Sequence, residues 1–180
     1  LGDINTSKIY TLVLNKDMNI VNKEALLNPA LSQIVEEAIQ NSADNYFSHK
    51  GPYCIEVICD SETFTIKNTG GITSGFHPTY RDKDGNKVRV IQLIFCNLRS
   101  GSNLDDSKEL TVGGMNGFGI KLTDIFSIWF VIESVEGGKK YKQLIDNNMS
   151  KINKPTITSV KGGKEYTKVL EKIVTQNSLM

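Results

Sequence analysis

The pattern of apolar and polar residues along the chain predicts a mixture of helices and strands. Apolar residues recur every three to four positions in the segments that favour helices. Shorter runs rich in β-branched and aromatic residues predict strands. The predicted elements are a strand at 9–14, a helix at 29–48, strands at 54–59 and 62–68, a helix at 88–98, a helix starting near 118, and strands at 128–135, 139–145, 156–160 and 165–169.

The order of these elements indicates the fold class. Helices alternate with hairpins in the first two thirds of the chain, and a meander of strands follows. This arrangement predicts an α+β sandwich with helices on one face of a mixed sheet. The polar stretch 15–28 is expected to form a hairpin or a loop, and the stretch 73–88 is expected to be loop-like with a hairpin-type turn near its end.

The segment from 33 to 45 predicts an amphipathic helix with an unusual polar face. Glu37, Asn41 and Asp44 fall within about 60° of one another around a helix, and Asn45 lies beside them. A carboxylate therefore stands one turn before a carboxamide. An ordinary surface helix with solvent-facing polar residues is the alternative on this segment alone. The opposite half of the helix is apolar, formed by Leu31, Ile34, Val35, Ala38, Ile39 and Ala43.

A glycine-rich stretch, Gly113–Gly119, precedes the third predicted helix. Glycine permits positive φ and close backbone approach, and the amides at a helix N-terminus can bind an anion such as phosphate. Lys121 follows within the next turn and can add a positive charge. The alternative is a helix start that needs its glycines for packing only. The stretch is neither a Walker loop nor a dinucleotide fingerprint.

Length, charge and cysteine content exclude several classes of protein. The chain has 180 residues, room for one domain, and a net charge of +1 without a basic block that would grip nucleic acid. No apolar run reaches the roughly 18 residues that span a bilayer, and no signal peptide is apparent. Cys54, Cys59 and Cys96 lack metal-ligand spacing, which favours a reducing, intracellular setting without a disulfide scaffold or zinc site.

Three blocks in the same order carry a family resemblance. Residues 36–45, Glu-Glu-Ala-Ile-Gln-Asn-Ser-Ala-Asp-Asn, resemble the pattern Asp-Glu-Ile-x-x-Asn-x-x-Asp-Asn. Ser100–Asp106 resembles a Ser-Ser-Asn-x-Asp-Asp loop. Gly113–Ser127 is similar to Gly-Gly-Arg-Asn-Gly-Tyr-Gly-Ala-Lys-Leu-x-Asn-Ile-Phe-Ser. The chain therefore resembles the GHKL ATPases from about residue 29 to 170, and most of all the ATPase domain of type IIA DNA topoisomerases of eukaryotic, viral or large-phage kind.

The resemblance implies roles for individual residues in binding and hydrolysing ATP with Mg²⁺. Glu37 matches the general base that activates water, and Asn41 matches the Mg²⁺ ligand. Lys121 matches a catalytic lysine of the phosphate cradle, and Asn68 matches the residue that recognises adenine. For Ile72, Ile94 and Phe95, packing in the core is an equally good explanation. The remaining ATP-binding matches are Asn45, Ile72, Ile94, Phe95, Ser102, Asn103, Gly114, Asn116, Gly117, Phe118, Gly119 and Thr167.

Three departures from the family pattern affect residues expected at the nucleotide. The turn after Asn68 reads Asn-Thr-Gly-Gly, one residue shorter than the usual Asn-x-Gly-x-Gly, so its local shape is expected to differ. Met115 stands where the family has arginine, and Gly101 stands where it has serine. Each of these two replacements removes a polar group that could contact the nucleotide.

The resemblance also implies a larger setting for the chain. Residues 1–180 are expected to be a single GHKL ATP-binding domain, a fragment without the N-terminal strap and the C-terminal transducer domain. Through the full-length enzyme it would act on double-stranded DNA and form a homodimer, away from membranes, in the cytoplasm or nucleus or in a virus- or phage-infected cell. The alternatives are another GHKL ATPase, of gyrase, MutL or chaperone type, and a nucleotide-binding module with degenerate catalysis.

Overall fold

The computed structural model describes residues 7–27, 29–60, 62–97 and 119–173. These ranges contain three helices, which are α1 (Pro29–Ser48), α2 (Val90–Cys96) and α3 (Gly119–Ile125). They also contain eleven strands, which are β1 (Ser7–Leu14), β2 (Ile20–Leu27), β3 (Ile55–Cys59), β4 (Thr63–Thr69), β5 (Phe76–Arg81), β6 (Lys87–Arg89), β7 (Ser127–Glu136), β8 (Lys139–Asp146), β9 (Lys151–Ile152), β10 (Thr156–Ser159) and β11 (Tyr166–Ile173).

Seven strands form the main sheet. Its order is β10, β8, β7, β11, β4 and β3, and β9 pairs with β8. The last strand in sequence, β11, lies between β4 and β7 and is antiparallel to both. The predicted α+β class is confirmed. A mixture of parallel and antiparallel pairs was expected, but every pair between described strands is antiparallel. Neighbours such as β3–β4 and β7–β8 are hairpins, which makes these pairs antiparallel.

Two smaller hairpins lie outside the main sheet. The stretch 15–28, expected as a hairpin or a loop, is largely β2 paired with β1. The stretch 73–88, expected as a loop, contains β5 and most of β6. Pro78 lacks an N–H donor and made β5 hard to identify as a strand from the sequence. Because β6 occupies 87–89, α2 begins at Val90, two residues later than predicted.

The inner face of the main sheet carries the core and, at one end, a polar row. Along β4, Phe64, Ile66 and Asn68 are buried in strict alternation. On β11, Thr167 lies opposite Asn68 and Val169 lies opposite Ile66. Polar side chains therefore occupy one row of the sheet and apolar side chains the next. The core cluster comprises Ala38, Phe64, Ile66, Ile91, Phe95, Ile120, Phe130, Ile132, Tyr141, Ile145 and Val169.

Helix α1 packs on this assembly along a narrow stripe. Ile34, Ala38 and Ser42, spaced by four residues, are buried, and α1 contacts both α3 and β4. Ile39, predicted to belong to the buried half, is 37% exposed. The buried face is therefore narrower than the sequence predicts, because α1 is covered along one side only.

Candidate functional site

A cavity of about 240 Å³ opens between the helices and the inner face of the sheet. Residues of α1 form one wall, residues of β4 and β11 form the opposite wall, and residues of α2 and α3 complete it. The cavity combines amide and hydroxyl groups with a larger apolar surface, which is typical of a small-molecule site. Its lining residues are Ala38, Asn41, Ser42, Asn45, Ile66, Asn68, Ile72, Ile94, Phe95, Ile120, Thr167 and Val169.

On the α1 wall, an asparagine follows a carboxylate by one helical turn. The Nδ2 group of Asn41 donates a hydrogen bond to the carbonyl oxygen of Glu37 at 2.6 Å. This bond turns the Oδ1 atom of Asn41 away from the helix backbone. The Glu37 carboxylate accepts a hydrogen bond from Gln33 at 3.4 Å. The wall therefore offers a neutral oxygen ligand and a carboxylate one turn apart.

The start of α3 lies against the Glu37 side chain. A Cβ atom added to Gly119 would come within 2.0 Å of the Glu37 Oε2 atom. Real Cβ atoms do not approach oxygen so closely, so this position requires glycine in the observed arrangement. Because Gly119 has no side chain, α3 can begin next to the Glu37 carboxylate.

The opposite wall contains the polar end of β4 and β11. Asn68 is buried and donates a hydrogen bond from Nδ2 to the Thr69 carbonyl oxygen at 2.9 Å. Thr167, its partner across the strands, donates to the carbonyl oxygen of Gly70 at 3.0 Å. These bonds connect the side chains of the wall to the turn that follows β4.

The shortened turn after β4 is fixed by neighbouring strands. Gly70 has a φ of +89°, which glycine adopts without strain. The N–H of Ile72 donates to the Ser134 hydroxyl oxygen at 2.8 Å. A Cβ on Gly71 would come within 2.0 Å of the Val135 carbonyl oxygen. The two glycines therefore allow the turn to pass close to β7 and bring Ile72 into the cavity wall.

A group of buried ionisable residues lies around α3. Burial lowers the pKa of the Lys121 ammonium, and the nearby Cys96 thiol acts in the opposite direction. Burial, with a further contribution from the Glu171 carboxylate, raises the pKa of Asp124 to about 7. Burial also raises the pKa of Glu171 to about 7, although a hydrogen bond from Ser127 opposes this shift. Neither Asp124 oxygen nor Glu171 Oε1 has a hydrogen-bond partner among the described residues.

The structure brings most described candidates from the sequence to one place. Glu37 and Gly119 touch each other beside the cavity. Lys121, expected among the phosphate contacts, is 2% exposed and does not line the cavity. The chemical roles of all the candidate residues stay predictions. Six candidates lie outside the described residues, namely Ser102, Asn103, Gly114, Asn116, Gly117 and Phe118. The candidates that line the cavity are Asn41, Asn45, Asn68, Ile72, Ile94, Phe95 and Thr167.

Three polar residues near the cavity were missed by the sequence analysis. Ser42 lines the cavity one turn after Ala38, and Ser134 holds the turn at Ile72. Tyr53 donates a hydrogen bond from its hydroxyl to the Ser42 carbonyl oxygen. The four-residue spacing from Ala38 could have identified Ser42. The other two contacts join distant parts of the sequence and leave no periodic signal.

Comparison with known proteins identifies relatives of this chain. No family model matches the chain. DNA topoisomerase 2 of Arabidopsis thaliana is 35% identical over 176 residues, which is 96% of this chain and 12% of that protein. The ATPase region of Saccharomyces cerevisiae topoisomerase II superposes with a TM-score of 0.79 at 34% identity, covering 96% of this chain and 46% of that one.

This chain belongs with the ATPase region of type IIA DNA topoisomerases. It corresponds to less than half of the solved yeast ATPase region and to about an eighth of the plant topoisomerase. The 43K ATPase domain of Thermus thermophilus gyrase B has a TM-score of 0.58 at 18% identity, over 80% of this chain and 34% of that one. That likeness concerns the fold alone. None of the described helices is long and apolar enough to cross a membrane.

Proposed function

We propose that this chain binds ATP together with Mg²⁺ and hydrolyses it. The observation that carries the proposal is the cavity between α1 and the polar end of β4 and β11, with Glu37 and Gly119 in contact at its side. The relationship to topoisomerase ATPase regions supports ATP as the nucleotide. The cavity supplies apolar surface for a base, asparagine oxygens for polar contacts and a carboxylate for proton transfer.

The base of the nucleotide is proposed to bind at the β4 and β11 wall. Asn68 and Thr167 provide buried polar groups there, and Ile72, Ile94 and Phe95 provide apolar surface. A carboxamide can both donate and accept hydrogen bonds, which suits the edge of adenine. Because Asn68 and Thr167 lie on neighbouring strands of the sheet, they would orient the nucleotide towards α1.

The chemistry of the donor set fits a magnesium ion at Asn41. The amide nitrogen of Asn41 is engaged with the Glu37 carbonyl oxygen, which leaves Oδ1 as a hard oxygen donor. No group of three or more His, Cys, Asp or Glu residues capable of holding a metal occurs among the described residues, so phosphate oxygens and water would complete the set. When bound, the ion neutralises negative charge on the triphosphate.

Glu37 is proposed to act as the general base. Its carboxylate would accept a proton from water while the water oxygen bonds to the γ-phosphorus, and the bond from that phosphorus to the bridging oxygen of ADP breaks. Its contact with Gly119 supports this role because it holds the carboxylate where the helix α3 begins. The phosphate-binding roles of Lys121 and of the glycine-rich segment before Gly119 rest on the family resemblance alone.

In a longer protein like the relatives, this activity would drive the passage of one DNA duplex through another. Such a protein would act on double-stranded DNA as a homodimer inside the cell, in the cytoplasm or nucleus or in an infected cell. The names of the relatives support the enzyme class, because they are DNA topoisomerases. Relaxation of supercoiled DNA by the full-length protein, dependent on ATP, tests this part of the proposal.

Calorimetric titration with a non-hydrolysable ATP analogue tests the binding proposal. We expect binding by the natural chain that is stronger with Mg²⁺ present. We expect Asn68→Ala to weaken binding about tenfold or more, because the base loses a buried hydrogen-bond partner. Asn22→Ala, a matched change at an exposed position of β2, is the control. Equal binding by both variants would contradict the assignment of Asn68, and no binding by the natural chain would contradict the proposed function.

A further inference from the structure

The turn between β8 and β9 has an unusual backbone conformation. Three consecutive residues have positive φ, namely Asn147 at 53°, Asn148 at 54° and Met149 at 65°. This left-handed region strains residues that have a Cβ atom, asparagine less than most, and glycine adopts it without strain. The turn between β7 and β8 has glycine at its positive-φ positions, Gly137 and Gly138. The β8–β9 turn therefore keeps side chains where its backbone favours glycine.

Two of these side chains make contacts that glycine could not make. The Asn148 Nδ2 group donates a hydrogen bond to the carbonyl oxygen of Ile125, the last residue of α3, at 2.8 Å. Met149 packs against the core cluster. The backbone N–H of Asn147 donates to the Ile128 carbonyl oxygen, near the start of β7, at 2.9 Å. The turn is thus held against the end of α3 and the beginning of the strand that follows it.

The C-terminal end of α3 depends on side chains for its hydrogen bonds. The last carbonyl oxygens of a helix have no partner within the helix. In α3, the Ser127 hydroxyl oxygen lies 2.8 Å from the Thr123 carbonyl oxygen, and Asn148 supplies the bond to Ile125. Asn148 lies 23 positions after Ile125 in sequence. Its bond therefore ties the helix to a separate element of the fold.

The other end of α3 is the end that meets Glu37. A Cβ atom on Gly119, the first residue of α3, would lie 2.0 Å from the Glu37 Oε2 atom, so no side chain fits between the helix and the carboxylate. The seven residues of α3 span only about 10 Å, and their backbone hydrogen bonds make them move together. A shift of the C-terminal end along the helix axis therefore changes the contact between the start of α3 and Glu37.

We propose that Asn148 is a positioning residue for hydrolysis, because its bond to the end of α3 fixes where the start of that helix lies against Glu37. This inference rests on the proposed function, in which Glu37 is the general base. Without the Asn148 amide, the Ile125 carbonyl oxygen loses this donor and α3 can slide along its axis. The Glu37 carboxylate then loses the neighbour that holds it, while the nucleotide-base wall on β4 and β11 is unchanged.

The test compares Asn148→Gly with Asn147→Gly. Both changes place glycine at a positive-φ position of the same turn, and of the two described side chains Asn148 is the one that bonds to α3. After thermal melting has established that each variant folds, we measure single-turnover hydrolysis of ATP and the affinity for a non-hydrolysable analogue with Mg²⁺. We expect Asn148→Gly to slow hydrolysis about tenfold or more with unchanged affinity, because a small displacement of a catalytic group is costly, and Asn147→Gly to change neither. Asn148→Asp, which has a similar size but no N–H donor in its side chain, is expected to behave as Asn148→Gly does.

A second readout keeps the inference separate from the proposed function. The backbone amide signal of Gly119 is recorded by NMR without nucleotide, because this residue reports the position of α3 beside Glu37. We expect the signal to shift in Asn148→Gly and to keep its position in Asn147→Gly. That result in a chain that hydrolyses no ATP would support the positioning of α3 and overturn the proposed function. An unchanged Gly119 signal, or unchanged hydrolysis by Asn148→Gly beside an active natural chain, would overturn the role of Asn148.

Discussion

Single side chains in this site are held mainly by hydrogen bonds to backbone carbonyl oxygens. Asn41 donates to the Glu37 carbonyl oxygen, Asn68 to that of Thr69, and Thr167 to that of Gly70. Each bond fixes an orientation, and in the two asparagines the donor nitrogen faces the backbone and the amide oxygen is left for a ligand. The residue types at Asn41 and Asn68 could be predicted from the motif. Their orientations could not, because the motif does not specify which hydrogen bonds the two side chains make.

A prediction at the residue scale concerns Glu37. We expect Glu37→Gln to retain binding of ATP but to slow its hydrolysis about 10²- to 10⁴-fold, because an amide cannot accept the proton from water. Single-turnover hydrolysis of radiolabelled ATP by excess protein measures the rate. Glu36→Gln is the matched control, since Glu36 is the adjacent residue and is exposed. Hydrolysis at the natural rate by the Glu37 variant would exclude Glu37 as the base.

At the scale of elements, the site depends on two close approaches that glycines allow and on the position of β11 in the sheet. α3 meets Glu37 at Gly119, the turn after β4 meets β7 at Gly71, and β11 inserts between β4 and β7. The helix at 29–48 and the hairpins β3–β4 and β7–β8 were predictable because their periodicity is local. The position of β11 in the sheet was not predictable, since strand periodicity does not specify which distant strands pair.

A prediction at this scale concerns the turn after β4. We expect Gly71→Ala to lower the free energy of unfolding by about 1–3 kcal/mol, because its Cβ would lie 2.0 Å from the Val135 backbone oxygen and would displace the turn. Thermal or urea denaturation measures the effect. Gly75→Ala is the control, since its Cβ would meet only the Thr73 hydroxyl at 3.3 Å. Equal stability of the two variants would show that the turn does not pack closely on β7.

The junction of α3 with β11 gives a prediction about pH. Asp124 and Glu171 have pKa values of about 7, raised first by burial, against ordinary values of about 4. The folded chain therefore binds more protons than the unfolded chain between these values. The stability that these carboxyl groups contribute is fully present below about pH 4 and is lost as the pH rises through about 7.

We expect a loss on the order of 1 kcal/mol in the free energy of unfolding between about pH 6 and pH 8. Asp124→Asn, which restores the residue of the family pattern, should reduce this loss because its side chain carries no charge at either pH. Asp84→Asn, at an exposed turn, is the control. Urea denaturation at the two pH values decides the matter, and an identical pH dependence in the natural chain and in Asp124→Asn would rule out this carboxyl group as its source.

At the scale of the whole molecule, the helices and the inner face of the sheet enclose the candidate ATP cavity. Within the β4–β11 wall, the residues of the two strands lie about a hundred positions apart in sequence, and the antiparallel insertion of β11 beside β4 brings them together. The motifs predicted residues of both walls because each motif lies within one element. That the walls face each other across a cavity follows only from the order of strands in the sheet, which local sequence patterns do not specify.

Amide chemical-shift mapping with a non-hydrolysable ATP analogue and Mg²⁺ tests the central claim most directly. We expect the largest changes at Asn41, Asn68 and Thr167, which lie in three different elements and all line the cavity. The β1–β2 hairpin should change least, because its residues do not line the cavity. Changes concentrated at the hairpin, or no changes at saturating analogue, would contradict the assignment of this cavity as the ATP site.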